Sequence, residues 1–230
     1  MPPLILVSYD GTANDDDALA LGQLLAGAGA RLALAYVRHL REPEEGREIT
    51  EERRAEALLE RGAHRLGDPD VARHVIFHAS TGDGLRELAE REGASVIVFG
   101  SEYRTPVGSV SPGTSAQRLL SGGPTAVGIA PAGMRDRKAT STRRVGLLVE
   151  DGDDAAERTA RALAAALGGT VAAPDAAAID LLVLGSRPEA PRGRVVLSAA
   201  AERALETAVC PVLVTPRAGA VEFREPVLAA

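Results

Sequence analysis

The stretch that most constrains the fold is Ser95 to Pro131, SVIVFGSEYRTPVGSVSPGTSAQRLLSGGPTAVGIAP. A short apolar run, Val96 to Phe99, stops at Gly100. A polar loop carrying Gly108 and Gly113 follows, and Gly113-Thr114-Ser115 opens a helical segment over Ala116 to Leu120. Ser121-Gly-Gly-Pro124 ends that segment, and a second apolar run, Thr125 to Ile129, stops at Pro131. The pattern predicts strand, glycine loop, helix, strand. Glycines let the main chain come close to a ligand. A helix opening at Gly113-Thr114 aims unpaired N–H groups and a positive dipole end into the loop, which suits an anion. Thr114 or Ser115 either caps the helix or bonds a phosphate oxygen. A glycine-rich connection with a capped helix and no ligand accounts for the loop equally well.

The rest of the N-terminal half repeats the alternation. Leu4 to Ser8 reads as a buried parallel strand, followed by the Tyr9-Asp10-Gly11-Thr12 turn and a helix capped at Asn14 or Asp15. Asp15-Asp16-Asp17 is acidic enough to suggest a metal, but carboxylates in a first helical turn are favoured by the dipole alone. Arg31 to Val37 is a second strand, Arg38 to Thr50 a charged connection, Glu51 to Leu66 a helix and His74 to Ala79 a third strand. His74 and His78 share a strand face, no carboxylate or cysteine accompanies them, and they read as solvent-facing strand residues rather than ligands. Gly82 to Glu92 is a third helix.

Strands alternating with helices predict a doubly wound α/β sheet, with ligands bound beyond the carboxyl ends of the strands where strand order reverses. The Asp10 turn and the Gly100 loop lie at such ends. If the first and fourth strands are neighbours, they border one cleft, with Asp10 on a base or sugar and the glycine loop on phosphates.

The polar segment Ala132 to Arg143 reads as a linker, after which the pattern restarts. Arg144 to Val149 and Glu150-Asp151-Gly152 match the first strand and its Asp turn. Asp154 to Leu167 is a helix, Thr170 to Ala173 and Ile179 to Leu184 are strands, Ala199 to Ala208 is a helix and Pro211 to Thr215 a last strand. Gly185-Ser186 answers Gly100-Ser101. This is an internal repeat whose second copy lacks the charged connection, the Glu51 helix and the His74 strand. The tail, Arg217 to Ala230, is unassigned.

With these residues in view, the chain resembles the universal stress protein (UspA) family in a tandem form. Val7-Ser-Tyr-Asp-Gly-Thr12 resembles that family's first strand and Asp turn, and Ala94-Ser-Val-Ile-Val-Phe-Gly-Ser101 the segment leading into its glycine loop. The family's nucleotide-binding branch carries Gly-x2-Gly-x9-Gly-Ser/Thr, met here by Gly100, Gly113 and Thr114, while Tyr103 stands at the second glycine. The resemblance implies two tandem Rossmann-like, adenine nucleotide alpha hydrolase-like domains, residues 1–132 and a shortened, degenerate 143–217. It implies ATP or a related adenine nucleotide, with magnesium as counter-ion, held by Asp10, a backbone group near Val37, and Gly100, Gly113, Thr114 and Ser115. Tyr103 and Glu102 place bulk and negative charge beside the phosphate space, and Arg104 a compensating cation. In the second half Pro188, Ser198 and Ala199 replace the motif, so one site per chain is expected. The family pairs subunits through the last strand. The two halves are therefore expected to form an intrachain pseudo-dimer through Thr125–Ile129 and Pro211–Thr215, with a homodimer of whole chains as a further level.

Composition narrows the function classes. A net charge of −6 over 230 residues, with no Lys/Arg stripe interleaved with aromatics, argues against a nucleic-acid surface. The single cysteine, Cys210, excludes an intrachain disulfide. No apolar run approaches the ~20 residues of a membrane span, and Met1 to Asp10 lacks the marks of a signal peptide, so a cytoplasmic protein is the expectation. No nucleophile elbow, Cys–His arrangement or zinc spacing is present, and no residue reads as a tuned general base. Three readings stay open: a nucleotide-binding stress or signalling module, a UspA-like protein that works through protein contacts without nucleotide, and a weak ATPase.

Overall fold

The computed structural model describes residues 1–39, 47–137, 144–150, 154–176 and 178–224. The first half runs β1 (Leu4–Ser8), α1 (Ala13–Gly27), β2 (Arg31–Arg38), α2 (Arg47–Leu66), β3 (Ala72–Phe77), α3 (Thr81–Glu92), β4 (Val96–Gly100), α4 (Thr114–Leu120) and β5 (Ala126–Ala130). The second runs β6 (Arg144–Leu148), α5 (Ala155–Ala166), β7 (Thr170–Ala172), β8 (Leu181–Leu184), α6 (Ala199–Glu206) and β9 (Val212–Val214). The helix after the charged connection starts at Arg47, four residues earlier than the sequence pattern places it. Residues 40–46 of that connection, the Asp151-Gly152 turn and residues 138–143 of the linker lie outside the described residues.

The nine strands form one sheet in the order β3-β2-β1-β4-β5-β9-β8-β6-β7. Every neighbouring pair is parallel except β5–β9, which is antiparallel. The order β7-β6-β8-β9 repeats β2-β1-β4-β5, and among the described residues nothing corresponds to α2, β3 and α3. This is the α/β architecture expected, with the second half shortened.

Strand side chains alternate between two apolar layers, as a sheet covered on both faces requires. Ile5, Val7, Val96, Val98, Leu181, Val183 and Leu213 pack with α1, α2 and α5, while Leu4, Leu6, Ile97, Phe99, Leu182, Leu184, Val212 and Val214 pack with α3, α4 and α6. Strand order reverses between β1 and β4, whose register is Ile5↔Val96 to Val7↔Val98.

Both halves close with the same hydrogen bonds at the same spacing. Ser101 Oγ donates to Ala130 O (2.7 Å) and accepts from Ser111 N (3.1 Å), while Ser186 Oγ donates to Thr215 O (2.7 Å) and accepts from Val196 N (3.2 Å). On the other face a buried polar residue of each first helix catches the chain leaving the last strand. Asp17 of α1 accepts from Gly133 N and Arg135 N, both at 2.8 Å, and Thr159 of α5 accepts from Val221 N at 2.9 Å. Asp17 is fully buried, and the Arg135 guanidinium at 2.9 Å neutralises it. In the described part of the tail, residues 218–224, Val221 and Phe223 are buried in the layer that contains α5.

Gly100 is required by this packing. A Cβ there would run into the backbone carbonyl of Asn14 at the start of α1, whereas a Cβ at Gly113 would meet nothing within 4 Å. We expect Gly100→Ala to cost about 3 kcal/mol or more. Gly113→Ala should stay within about 1 kcal/mol, alanine being only a poorer helix cap. Urea unfolding of the two variants checks this contrast.

Candidate functional site

A cavity lies at the carboxyl ends of β1 and β2. Tyr9 N donates to Ala35 O (2.9 Å), after which the chain leaves the sheet at Asp10 while β2 continues to Arg38. On the far side Arg38 O accepts from His78 N (3.0 Å). Backbone groups of successive strand residues point to opposite sides. Ala35 facing β1 and Arg38 facing β3 both turn the N–H and C=O of Val37 toward the space β1 has vacated. A cavity of about 290 Å³ lies there, lined by Ser8, Tyr9, Asp10, Thr12, Tyr36, Val37, His39 and Thr81. Asp10 and Val37, which the family resemblance implies together, both line this cavity.

The turn that leads into α1 is held by its own side chains. Gly11 has φ +84°, and a Cβ there would overlap Leu58 of α2, so only glycine lets the turn lie this close to that helix. The helix cap is Thr12, not Asn14 or Asp15. A full capping box forms between Thr12 and Asp15, because the Asp15 side chain reaches back to the cap backbone. One Asp15 oxygen, Oδ2, accepts from Asp10 N (3.1 Å), Thr12 N (2.9 Å) and Thr12 Oγ1 (2.8 Å). The acidic run therefore splits into three roles. Asp15 caps, Asp16 pairs with Arg65 (3.0 Å), and Asp17 binds the strap after β5. Among the described residues no three His, Cys, Asp or Glu side chains group so as to hold a metal.

Asn14 joins this turn to the glycine loop. Its side-chain amide donates to Ser101 O (2.6 Å) while its carbonyl covers Gly100. The loop folds back on itself through Glu102 N to Ser111 O (2.9 Å) and is anchored by Gly108 N to Ala132 O (2.8 Å) and Val110 N to Ala208 O (3.2 Å). α4 opens at Gly113 with no side-chain cap, Thr114 is exposed and Ser115 half-buried. In the second half Ser198 caps α6 by accepting from Ala201 N (3.2 Å). The structure therefore brings Asp10 and Val37 together and keeps Gly100, Gly113, Thr114 and Ser115 on the β4 side, outside the lining of that cavity. Tyr103 does not plug the loop: it is 70% exposed, and the Arg104 guanidinium lies over its ring at 5.1 Å.

Other readings take simpler forms. His74 and His78 do have carboxylates nearby, Glu92 at 3.9 Å and Glu87 at 3.6 Å, supplied by α3 from a distance in sequence that strand periodicity does not report. Cys210 is buried, and burial pushes its thiol up to about 11, far from a reactive thiolate. Ser121-Gly-Gly-Pro is a helix end, with Gly123 N donating to Leu119 O (2.7 Å). Sequence reasoning missed His39, Thr81 and the arginines of α2, because only the crossover connections bring them to the end of β2. No helix among the described residues is long and apolar enough to cross a membrane.

The comparisons agree with this architecture. The profile of the universal stress protein family matches residues 2–131, and the chain belongs to that family. A universal stress protein from Archaeoglobus fulgidus DSM 4304 superposes with TM-score 0.69 at 16% identity, over 93% of this chain and 98% of the other. A putative universal stress protein from Pseudomonas aeruginosa UCBPP-PA14 gives TM-score 0.59 at 14% identity, over 94% of each chain. A universal stress protein solved in complex with cAMP matches 56% of this chain and 97% of its own, at 21% identity and TM-score 0.44. Among curated proteins none matches the sequence.

Burial, and then the neighbouring Asp10 carboxyl, pushes Asp15 up to about 7 from an ordinary 3.8. An acid whose pKa is raised by folding binds its proton more tightly in the native state. Its contribution is complete below pH 3.8 and is lost as pH rises through about 7. We expect the unfolding free energy to fall by roughly 1 kcal/mol per pH unit between pH 5 and 7 from this group alone. Asp15→Asn, which keeps an acceptor for Thr12 and cannot titrate, should flatten that slope in urea titrations at stepped pH. An unchanged slope would remove Asp15 as its source.

Proposed function

We propose that the chain is a stress-response or signalling module that binds one adenine nucleotide, in its N-terminal half. The observation that carries this is the overhang of β2 past β1. It leaves a peptide N–H and C=O at Val37 side by side in a cavity with Asp10 at its rim, the pairing that an adenine edge and a ribose hydroxyl call for. In this reading the phosphates extend toward β4 and meet Gly113, Thr114 and Ser115. The open space at Gly113 and the helix start without a side-chain cap support it, since neither is demanded by packing. ATP with magnesium is the form proposed. No residue is assigned to hydrolysis, which needs a positioned water and cationic stabilisation of the phosphoryl group.

The one-site claim follows from the second half, where Ser198 fills the position of Gly113 and caps its own helix. A titration of ATP and magnesium by calorimetry should give one site per chain. Gly113→Val should abolish binding by placing a branched side chain against the phosphates, and Ser198→Val should leave it unchanged while costing about 1 kcal/mol of stability through the lost cap. Two sites per chain, or unaltered affinity in Gly113→Val, would sink the assignment.

A second reading, a universal stress protein that works through protein contacts without nucleotide, is favoured by the packing around Gly100. Its missing side chain is explained by the Asn14 carbonyl, and the N-terminus of α1 is already satisfied by Asp15. No ATP binding by the unaltered protein would select it.

We further propose that residues 1–132 and 143–217 are two universal stress protein domains, the second degenerate, joined as a pseudo-dimer by the β5–β9 pairing. Each half expressed alone should then self-associate or be insoluble, because its last strand is left as an apolar edge. Analytical ultracentrifugation of the separate halves tests this, and two well-behaved monomers would count against it.

A further inference from the structure

We propose that the face of α2 bordering the carboxyl end of β2 is an anion site, built to take a phosphate or pyrophosphate group on Arg54 and Arg61, separate from the glycine loop. A cleft of about 540 Å³ opens there, bounded by Asp10, Tyr36 and His39 on the sheet side and by Arg54, Leu58 and Arg61 on the helix. It shares Asp10, Tyr36 and His39 with the lining of the cavity at Val37. It lies on the β2 side of β1, whereas the glycine loop lies on the β4 side.

The charge distribution points to an anion. Arg54, Leu58 and Arg61 follow one helical face, with Leu58 buried under Gly11 and an exposed arginine one turn to either side. Their backbone positions are roughly 10 Å apart along the axis at 1.5 Å per residue, and two long side chains can converge across that span. Neither arginine is paired with a carboxylate among the described residues. The helix offers them none at the spacings that would neutralise them, except Glu51, three residues before Arg54. Glu51 holds Arg38 at 2.6 Å, and Arg38 is itself stacked on Phe77 at 4.4 Å. That contact consumes one cation and one anion of the cleft lining. Among the described residues of the lining, what remains is two guanidiniums and the single carboxylate of Asp10, together with His39. Guanidiniums are the side chains whose fork geometry matches phosphate oxygens. Of the other acids of α2, Glu52, Glu56 and Glu60 fall on a different stripe four residues apart, outside the cleft lining.

The experiment is a calorimetric titration of the full chain with inorganic pyrophosphate, run beside the ATP titration. Pyrophosphate should bind, weaken at least tenfold in Arg54→Gln/Arg61→Gln, and stay within twofold of the unaltered protein in Gly113→Val and in Arg53→Gln. Arg53→Gln removes one positive charge from α2 outside the cleft lining. All of these positions are exposed or open, and circular dichroism melts confirm that the variants remain folded. No pyrophosphate binding, binding that survives the double substitution, or an equal loss in Arg53→Gln would each overturn the proposal. The nucleotide reading fails separately: ATP that does not bind, with arginine-dependent pyrophosphate binding intact, removes that reading and leaves this one standing.

Discussion

The structure depends on three residue pairs. Val127↔Val214, Gly128↔Leu213 and Ile129↔Val212 join β5 to β9, the one antiparallel contact in an otherwise parallel sheet. Without it the sheet would divide into five strands and four, each ending in a strand buried on both faces with an unpaired row of backbone groups. The contact is short because prolines stand outside it on both strands, Pro124 and Pro131 around β5, Pro211 and Pro216 around β9. Neighbouring loops extend it. Val195 N donates to Gly123 O (2.9 Å), and Val110 N to Ala208 O (3.2 Å), so the loops leading to each terminal strand are also tied across the seam.

Around that seam the fold uses one solution twice. A serine after the penultimate strand of each half bonds the end of the last strand and the loop ten residues on. A buried polar side chain from the first helix holds the segment after the last strand. The chemistry differs at the second position. Asp17 brings a buried charge and therefore needs Arg135, while Thr159 is neutral and needs only one backbone N–H. The same layout holds a long half and a short half, since these bonds involve only the elements both halves keep.

The elements the short half lacks are those that build the cleft. α2 supplies Leu58, which packs over Gly11, and Arg54 and Arg61, which border the space beyond β2. β3 supplies Phe77, on which Arg38 stacks, and α3 begins at Thr81, which reaches His39 (3.4 Å). The polarity of the cleft thus belongs to the N-terminal half. At the Asp10 turn, Asp15 closes the start of α1, and burial with its Asp10 neighbour raises its carboxyl to about 7.

By itself the sequence determined the order and type of nearly every element, because apolar runs bounded by glycine and proline read directly as buried strands. The recurrence of Gly-Ser after the fourth and eighth strands was legible for the same reason, whereas the link between Asp10 and Val37 came only from the family resemblance. Helix starts were less legible. Thr12 caps α1 because Asp15 reaches back to it, and the acidic run offered several equivalent candidates. Tertiary structure alone decided why Gly100 is glycine, since the Asn14 carbonyl that covers it is 86 residues away in the chain. It also decided that Tyr103 faces solvent, that His74 and His78 have carboxylate neighbours, and that Val221 and Phe223 of the tail are buried. For Gly100, the histidines and the tail the deciding contact joins different elements, and period and punctuation report only a residue's own element. The arginines of α2 are the clearest instance: as sequence they are two charges on an amphipathic helix, and only the crossover from β2 to β3 sets them at the rim of a cavity.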